Sequence, residues 1–185
     1  MSRGKQVRVA GTDPGTSSLD VVVLEGGAVI DQCRFRPEEL GAEPSLPVAW
    51  LLGQGPLDLV AGPSGYGLPL VRAAACGERE RALMALVRPD ERAPGDPRGQ
   101  GVLGFSAVVR ALCASPLPVV FLPAVIHLPT VPAHRKINRI DLGTADKLCV
   151  AALALRQRAV QLGLDFSGYR GCVVELGSAF TACLV

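Results

Sequence analysis

Aromatic side chains are scarce in this chain of 185 residues: one Trp, two Tyr and five Phe, 4% in all. That excludes a platform of rings for stacking single-stranded nucleic acid, and it leaves the core to be built from Val, Leu and Ala. Charge is scarce too. Charged residues make up 19% and the formal net charge is +2, too little of either sign for a basic nucleic-acid stripe or an acidic solvating tail. No two of the six cysteines stand in a CxxC spacing, and most lie in apolar stretches. The expectation is buried, reduced thiols in a cytoplasmic protein, not a zinc site or a disulfide framework. The N-terminus carries positive charge but no apolar run before Asp13, so no secretory leader is expected. One uncharged stretch, residues 111–134, contains five prolines, which forbid a continuous membrane-spanning helix.

What the chain does have is apolar surface and turn residues. Hydrophobic residues are 49%, enough for a core, and 21 Gly with 15 Pro punctuate them. Residues 7–11, 19–24 and 28–35 read as a meander of three strands, the last two joined by Gly26-Gly27. Residues 37–47 read as a loop, 48–52 as a short helix and 57–61 as an apolar strand. Helices are expected over 78–88 and 103–114, a buried strand over 117–122 and an ordered, proline-rich loop to 132. A long helix follows over 144–162, its stripe being Leu148, Ala152, Leu155, Ala159 and Leu162 and its stop Gly163. Two strands, 171–175 and 180–185, close the chain. A meander followed by alternating strands and helices predicts an α/β fold with a mixed sheet of ribonuclease-H-like type. Residues 1–168 form its lobe, and 169–185 read as the first hairpin of a truncated second lobe.

Two segments carry phosphate chemistry in their composition. Asp13-Pro14-Gly15-Thr16-Ser17-Ser18 lies between two strands, and Glu175-Leu176-Gly177-Ser178-Ala179-Phe180-Thr181 between two others. Glycine lets backbone N–H groups approach an anion, hydroxyls donate to phosphoryl oxygens, and a carboxylate holds Mg²⁺ through water. A hairpin turn uses the same residues. The pair resembles the two phosphate-gripping loops of the actin, sugar kinase and acetate kinase superfamily. Ala61-Gly62-Pro63-Ser64-Gly65-Tyr66-Gly67-Leu68-Pro69 and the stretch 125–147 further resemble a family of predicted butyrate kinases. That resemblance implies the first lobe of an actin-like ATPase and Mg-ATP as cofactor. It also implies a small acceptor, a carboxylate, for the γ-phosphoryl group. Asp13, Gly15, Thr16, Ser17, Glu175, Gly177, Ser178 and Thr181 would then bind the nucleotide, Asp13 the metal, and His127, Asp141 and Lys147 would be catalytic. Leu128 stands where acetate and butyrate kinases carry Asn after the histidine, and loop 62–67 lacks the arginine of acetate kinase.

Blander assignments stand beside these. Asp141 and Asp146 suit helix capping. Lys147 in a first helical turn opposes the helix dipole unless a carboxylate or phosphate meets it. His127 suits a packed loop, and the cluster His134, Arg135, Lys136 and Arg139 suits ordinary surface. Two other functions share the pattern: a non-catalytic nucleotide-binding module, and a Holliday-junction-resolvase-like nuclease with Asp13, Asp141 and Asp146 on two Mg²⁺. The lobe alone is expected not to turn over ATP. Its final strand is expected to lie against the first lobe or to pair with a second copy in a homodimer. No nucleic-acid or membrane partner is expected.

Overall fold

Leu19, Val21 and Val23 are buried while Asp20 and Val22 between them stay partly open. This is the period-two pattern of a strand with one face on a core. The computed structural model describes residues 6–15, 17–85, 104–138, 142–176 and 180–184, with no side chains for Ala85 and 180–184. Strand β2 (Leu19–Glu25) lies between β1 (Arg8–Pro14) and β3 (Ala28–Phe35), antiparallel to both. Gly26 and Gly27 take φ of 59° and 88° at the hairpin, the left-handed pair that a two-residue turn needs. The helices α1 (Pro37–Ala42) and α2 (Leu46–Gly53) follow, then β4 (Leu59–Gly62) and the short β5 (Val71–Arg72). Next come α3 (Glu78–Ala85), α4 (Phe105–Ala114), β6 (Val119–Phe121), α5 (Ala145–Gln161), β7 (Cys172–Leu176) and β8 (Phe180–Leu184).

The main sheet has the order β3-β2-β1-β4-β6-β5. β4 runs parallel to β1 and β6 parallel to β4, while β5 is antiparallel to β6. An α/β fold with a mixed six-stranded sheet is therefore what forms. Its core joins Val21, Val23, Val60 and Phe121 of the sheet to Leu51, Met84, Val108, Val109 and Leu112 of the helices. Aliphatic side chains of this kind each contribute about 1.5–3 kcal/mol on burial, which is how the chain manages with so few rings. β7 and β8 form their own two-stranded sheet.

Several expectations need correction. Asp13 and Pro14 pair with Asp20 and Leu19 as the last rungs of β1, so the turn shrinks to residues 15–18, closed by the Gly15 N–H donating to the Ser18 carbonyl at 2.9 Å. Part of the expected loop 37–47 is helix α1. Pro37 occupies its first turn, and the Glu39 carboxylate accepts from the Arg36 N–H at 2.7 Å, a local start signal that outweighs the proline content. Of the expected α5 stripe, Leu155 and Ala159 are buried; Ala145 and Ala151 complete it in place of Leu148, Ala152 and Leu162, the last being 47% exposed. The thiols are not uniformly buried: Cys76 is, and burial pushes it up to about 11, but Cys149 and Cys172 are exposed. Among the described residues no helix is long and apolar enough to cross a membrane.

Gly62 marks the tightest point of the sheet. A Cβ there would sit 2.7 Å from the Phe121 ring and 2.9 Å from a Val119 methyl, and Phe121 is fully buried. Gly62→Ala is expected to cost about 1–3 kcal/mol through overpacking, read from urea unfolding; an unchanged midpoint would show that the ring can yield.

Candidate active site

Asp13 is the penultimate residue of β1, at the rim of the sheet, and the Thr12 hydroxyl behind it donates to the Ala61 carbonyl of β4 at 2.9 Å. The alternation that buries Val21 turns Asp20 and Val22 of β2 to the opposite face. Helix α5 crosses that face. Between sheet and helix lies a cleft of about 380 Å³, lined on one side by Asp13, Asp20 and Val22 and on the other by Asp146, Cys149, Val150 and Leu153. Loop 62–65 forms its end wall.

That wall is built by close approach. Gly65 has φ of 52° and a Cβ on it would meet the Met84 carbonyl at 2.8 Å; Gly67 has φ of 72° and would meet the Ala124 nitrogen at 2.8 Å. Only glycine fits either position. The Gly67 N–H donates to the Ser64 carbonyl at 2.6 Å, and the Ala145 N–H donates to the Gly65 carbonyl at 3.1 Å. The first turn of α5 is thus pinned to the loop. Ser64 is 2% exposed, and its hydroxyl has no hydrogen-bond partner among the described residues. A buried hydroxyl without a partner costs about 1–3 kcal/mol, so its retention needs a reason.

Lys147 is the cation of the site. Its Nζ lies 2.9 Å from Glu175 Oε1 and 3.2 Å from Asp146 Oδ2. The Glu175 hydrogen bond, and after it the Asp146 pair, hold the ammonium above its usual range. The dipole conflict of a lysine in a first helical turn is thereby met by two carboxylates. Asp13 is pushed up from the ordinary carboxylate value, first by partial burial and then by the negative charge of Asp146; Lys147 pulls it down, and Asp20 and Glu175 raise it further. Asp20 itself is ion-paired with Arg34.

The site residues expected from sequence divide as follows. Asp13, Lys147 and Glu175 are brought into one electrostatic cluster. Gly15 and Ser17 lie in the turn that follows Asp13. Thr181 stands opposite Glu175 in the β7–β8 ladder, so its backbone is adjacent to the cluster. His127 ends a 3-10 turn beside the Ala124–Gly67 contact and is not part of the cleft lining. Thr16, Asp141, Gly177 and Ser178 lie outside the described residues. Sequence reasoning missed Ser64, Asp20 and Cys149 as lining, and read Asp146 mainly as a cap. The signal for Asp20 and Asp146 was available: a carboxylate on the open face of a half-buried strand, and one beside a lysine at a helix start. Ser64 had only its position between two glycines.

A family described as "Protein of unknown function (DUF1464)" matches residues 11–185. The chain belongs to this family. Among solved structures, this DUF1464 chain is similar to acetate kinase from Entamoeba histolytica, with 10% identity and a TM-score of 0.46. The likeness covers 96% of the chain and 52% of that structure, so the chain spans about half its length. No curated protein matches the chain.

The raised Asp13 carboxyl carries a sign for stability. Its folded pKa lies above the unfolded one, so the native state holds the extra proton in that interval, and stability is lost as pH rises through the raised value. Asp13→Asn, unfolded by urea in the presence of a chelator, is expected to be more stable than the parent near neutral pH. The advantage should vanish near pH 4, about where the unfolded carboxyl titrates. A constant difference across pH would assign the effect to packing.

Proposed function

We propose that this chain is the phosphate-gripping first lobe of an ATP-dependent phosphotransferase of the acetate and butyrate kinase kind. The observation that carries the reading is the meeting of Asp13 and Glu175 around Lys147. The carboxylates that open the two glycine–hydroxyl segments come from strands 162 residues apart in sequence numbering, yet Lys147 bonds one and lowers the pKa of the other. The carboxylates at the head of the two segments thus meet at one cation, which supports a pair of loops holding one chain of phosphates. The strand order gives further support. Three antiparallel strands extended on one side by two parallel ones, with β5 antiparallel at the far edge, suit a ribonuclease-H-like lobe of an actin-like ATPase.

Asp13 lines the cleft with Asp146 close enough to raise its pKa, a pair of carboxylates of the kind that can take a magnesium ion. Among the described residues no three His, Cys, Asp or Glu side chains converge as a cage. Mg²⁺ is ordinarily bound by one or two carboxylates with water and phosphate oxygens completing its shell. Asp13 would hold it, and the ion when bound supplies charge neutralisation of the phosphates. The backbone N–H groups of turn 15–18, with Thr16 and Ser17, would take the phosphate oxygens on one side, and residues 177, 178 and 181 on the other. Lys147 would orient the γ-phosphoryl, exchanging part of its contact with Glu175 for it. Asp141 and His127 would act near the acceptor.

In this reading residues 169–185 begin a second lobe that supplies the adenosine pocket, and the first lobe alone does not turn over ATP, because lobe closure excludes water from the transferring group. Partners are then a nucleotide and a small acceptor, a carboxylate by the resemblance of residues 61–69 and 125–147 to the predicted butyrate kinases, with homodimerisation through a free strand edge. Free thiols at Cys33, Cys76, Cys113, Cys149 and Cys172 suit the reducing cytoplasm.

Calorimetric titration of Mg-ATP tests the assignment. Asp13→Ala is expected to weaken Mg²⁺-dependent binding at least about tenfold, or roughly 1.4 kcal/mol, and Asp146→Ala by less than about threefold. Equal losses in two folded variants would move the metal carboxylate away from Asp13.

A further inference from the structure

Away from the cleft, two thiols meet. Cys76 follows the 3-10 turn Ala73–Ala75, its N–H donating to the Ala73 carbonyl at 3.0 Å, and stands two residues before α3. Cys113 is the penultimate residue of α4. Cys76 is a buried member of the main core, and Cys113 is partly buried and packed against that core. The packing joins the two side chains, the Cys76 thiol donating a hydrogen bond to the Cys113 sulfur. Arg81 of α3 reaches both residues. Its Nη1 donates to the Cys76 carbonyl at 3.0 Å, and its guanidinium also hydrogen-bonds the Cys113 sulfur.

We propose that Cys76 and Cys113 form an oxidation-sensitive pair, which a peroxide converts to a disulfide tying the start of α3 to the end of α4. Neither thiol lines the cleft, so the pair stands independently of the phosphotransferase reading. The two sulfurs have different parts. Burial raises the Cys113 thiol, but Arg81 and the Cys76 S–H both pull it down, because donors aimed at a sulfur favour its thiolate. Burial, and after it the neighbouring Cys113 and Glu80, push Cys76 up to about 11, so it stays protonated. Cys113 therefore attacks first. Its sulfur forms a bond to one peroxide oxygen as the O–O bond breaks, and the departing hydroxide leaves as water with the proton that Cys113 gave up. The product is a sulfenic acid. Cys76 then attacks that sulfur; the S–S bond forms as the S–O bond breaks, and hydroxide leaves as water with the Cys76 proton. The two thiols lose two electrons, which the peroxide takes up in becoming two waters.

The bridge acts on a helix already held at its other end. There the Met84 carbonyl abuts Gly65, where a Cβ would lie 2.8 Å from it, and Gly65 belongs to the end wall of the cleft. A covalent bond at the start of α3 fixes the helix between α4 and that wall, so its local opening becomes rarer. The cross-link also removes freedom from the unfolded chain between residues 76 and 113.

Hydrogen peroxide added to the dilute, folded protein tests the pair, with remaining thiols blocked and peptides mapped by mass spectrometry. Cys113 is expected to be linked to Cys76 at least about tenfold more than to any other cysteine, because the fold holds the two at high effective concentration. In urea its pairing should spread over the other five. A dithiol reductant should reverse the bond. Cys76→Ser should leave Cys113 as a sulfenic acid that dimedone traps, whereas Cys113→Ser should leave Cys76 a free thiol. The bridged protein should show slower amide exchange over residues 78–85 and a higher urea midpoint than the reduced one. Absence of the linked peptide at a dose that oxidises the exposed Cys149 or Cys172 overturns the pair. Linkage no more selective in the folded protein than in urea does so as well, as does a midpoint at or below that of the reduced protein. Equal dimedone trapping at the remaining thiol of the two variants overturns the assigned order of attack.

Discussion

A lysine placed where a helix least favours it organises this molecule's chemistry. The first turn of α5 presents unpaired N–H groups and the positive end of the helix dipole, and Lys147 adds a full positive charge there. The placement holds because Asp146 and Glu175 answer it. Each pair is only partly shielded from water, where a single exposed ion pair contributes about 0.2–1 kcal/mol. The arrangement is therefore a weak source of stability and a strong determinant of position. It joins the β7 carboxylate to the helix start, and through the field at Asp13 it joins both to the end of β1.

The opposite wall depends on a different constraint, the absence of side chains. Gly62, Gly65 and Gly67 each lie where a Cβ would come within 3 Å of another atom. Together they let loop 62–67 press against β6, the carbonyl of Met84 and the backbone of Ala124. That compression carries Ser64 inward to full burial and leaves its hydroxyl without a partner in the described structure. The cleft thus has one wall fixed by charge and another by close packing, with the apolar side of α5 spanning between them. Along α5, Ala145, Ala151, Leu155 and Ala159 are buried while Val150, Leu153 and Val160 stay exposed.

Much of the architecture was legible from local pattern. The meander, the Gly-Gly hairpin and the long helix with its glycine stop lie within a few residues of their expected places, since alternation, left-handed glycines and helical period act over short distances. Helix α1 was not read because a proline at its first turn looks the same as a proline in a loop until the Glu39 bond to Arg36 is seen. Strand β5 was not read because two residues carry no period. For the site, Asp13 and Glu175 were found by composition, but Asp13 belongs to a paired strand and not to the turn.

The sequence by itself determined which residues could take each local form: strands with one apolar face, glycines where the backbone must turn, and a helix with an acid and a lysine at its start. Tertiary structure alone decided that Asp13, Ser64 and Asp146 line one cleft and that Lys147 ties Glu175 to Asp146. Parallel pairing of β1 with β4 and of β4 with β6 sets loop 62–67 beside the end of β1, and a hydrogen bond from Ala145 to Gly65 brings α5 across both. Those contacts join positions far apart along the chain. Their register is selected by packing of the whole core around Phe121 and Val21, a collective term that no local stretch of residues contains.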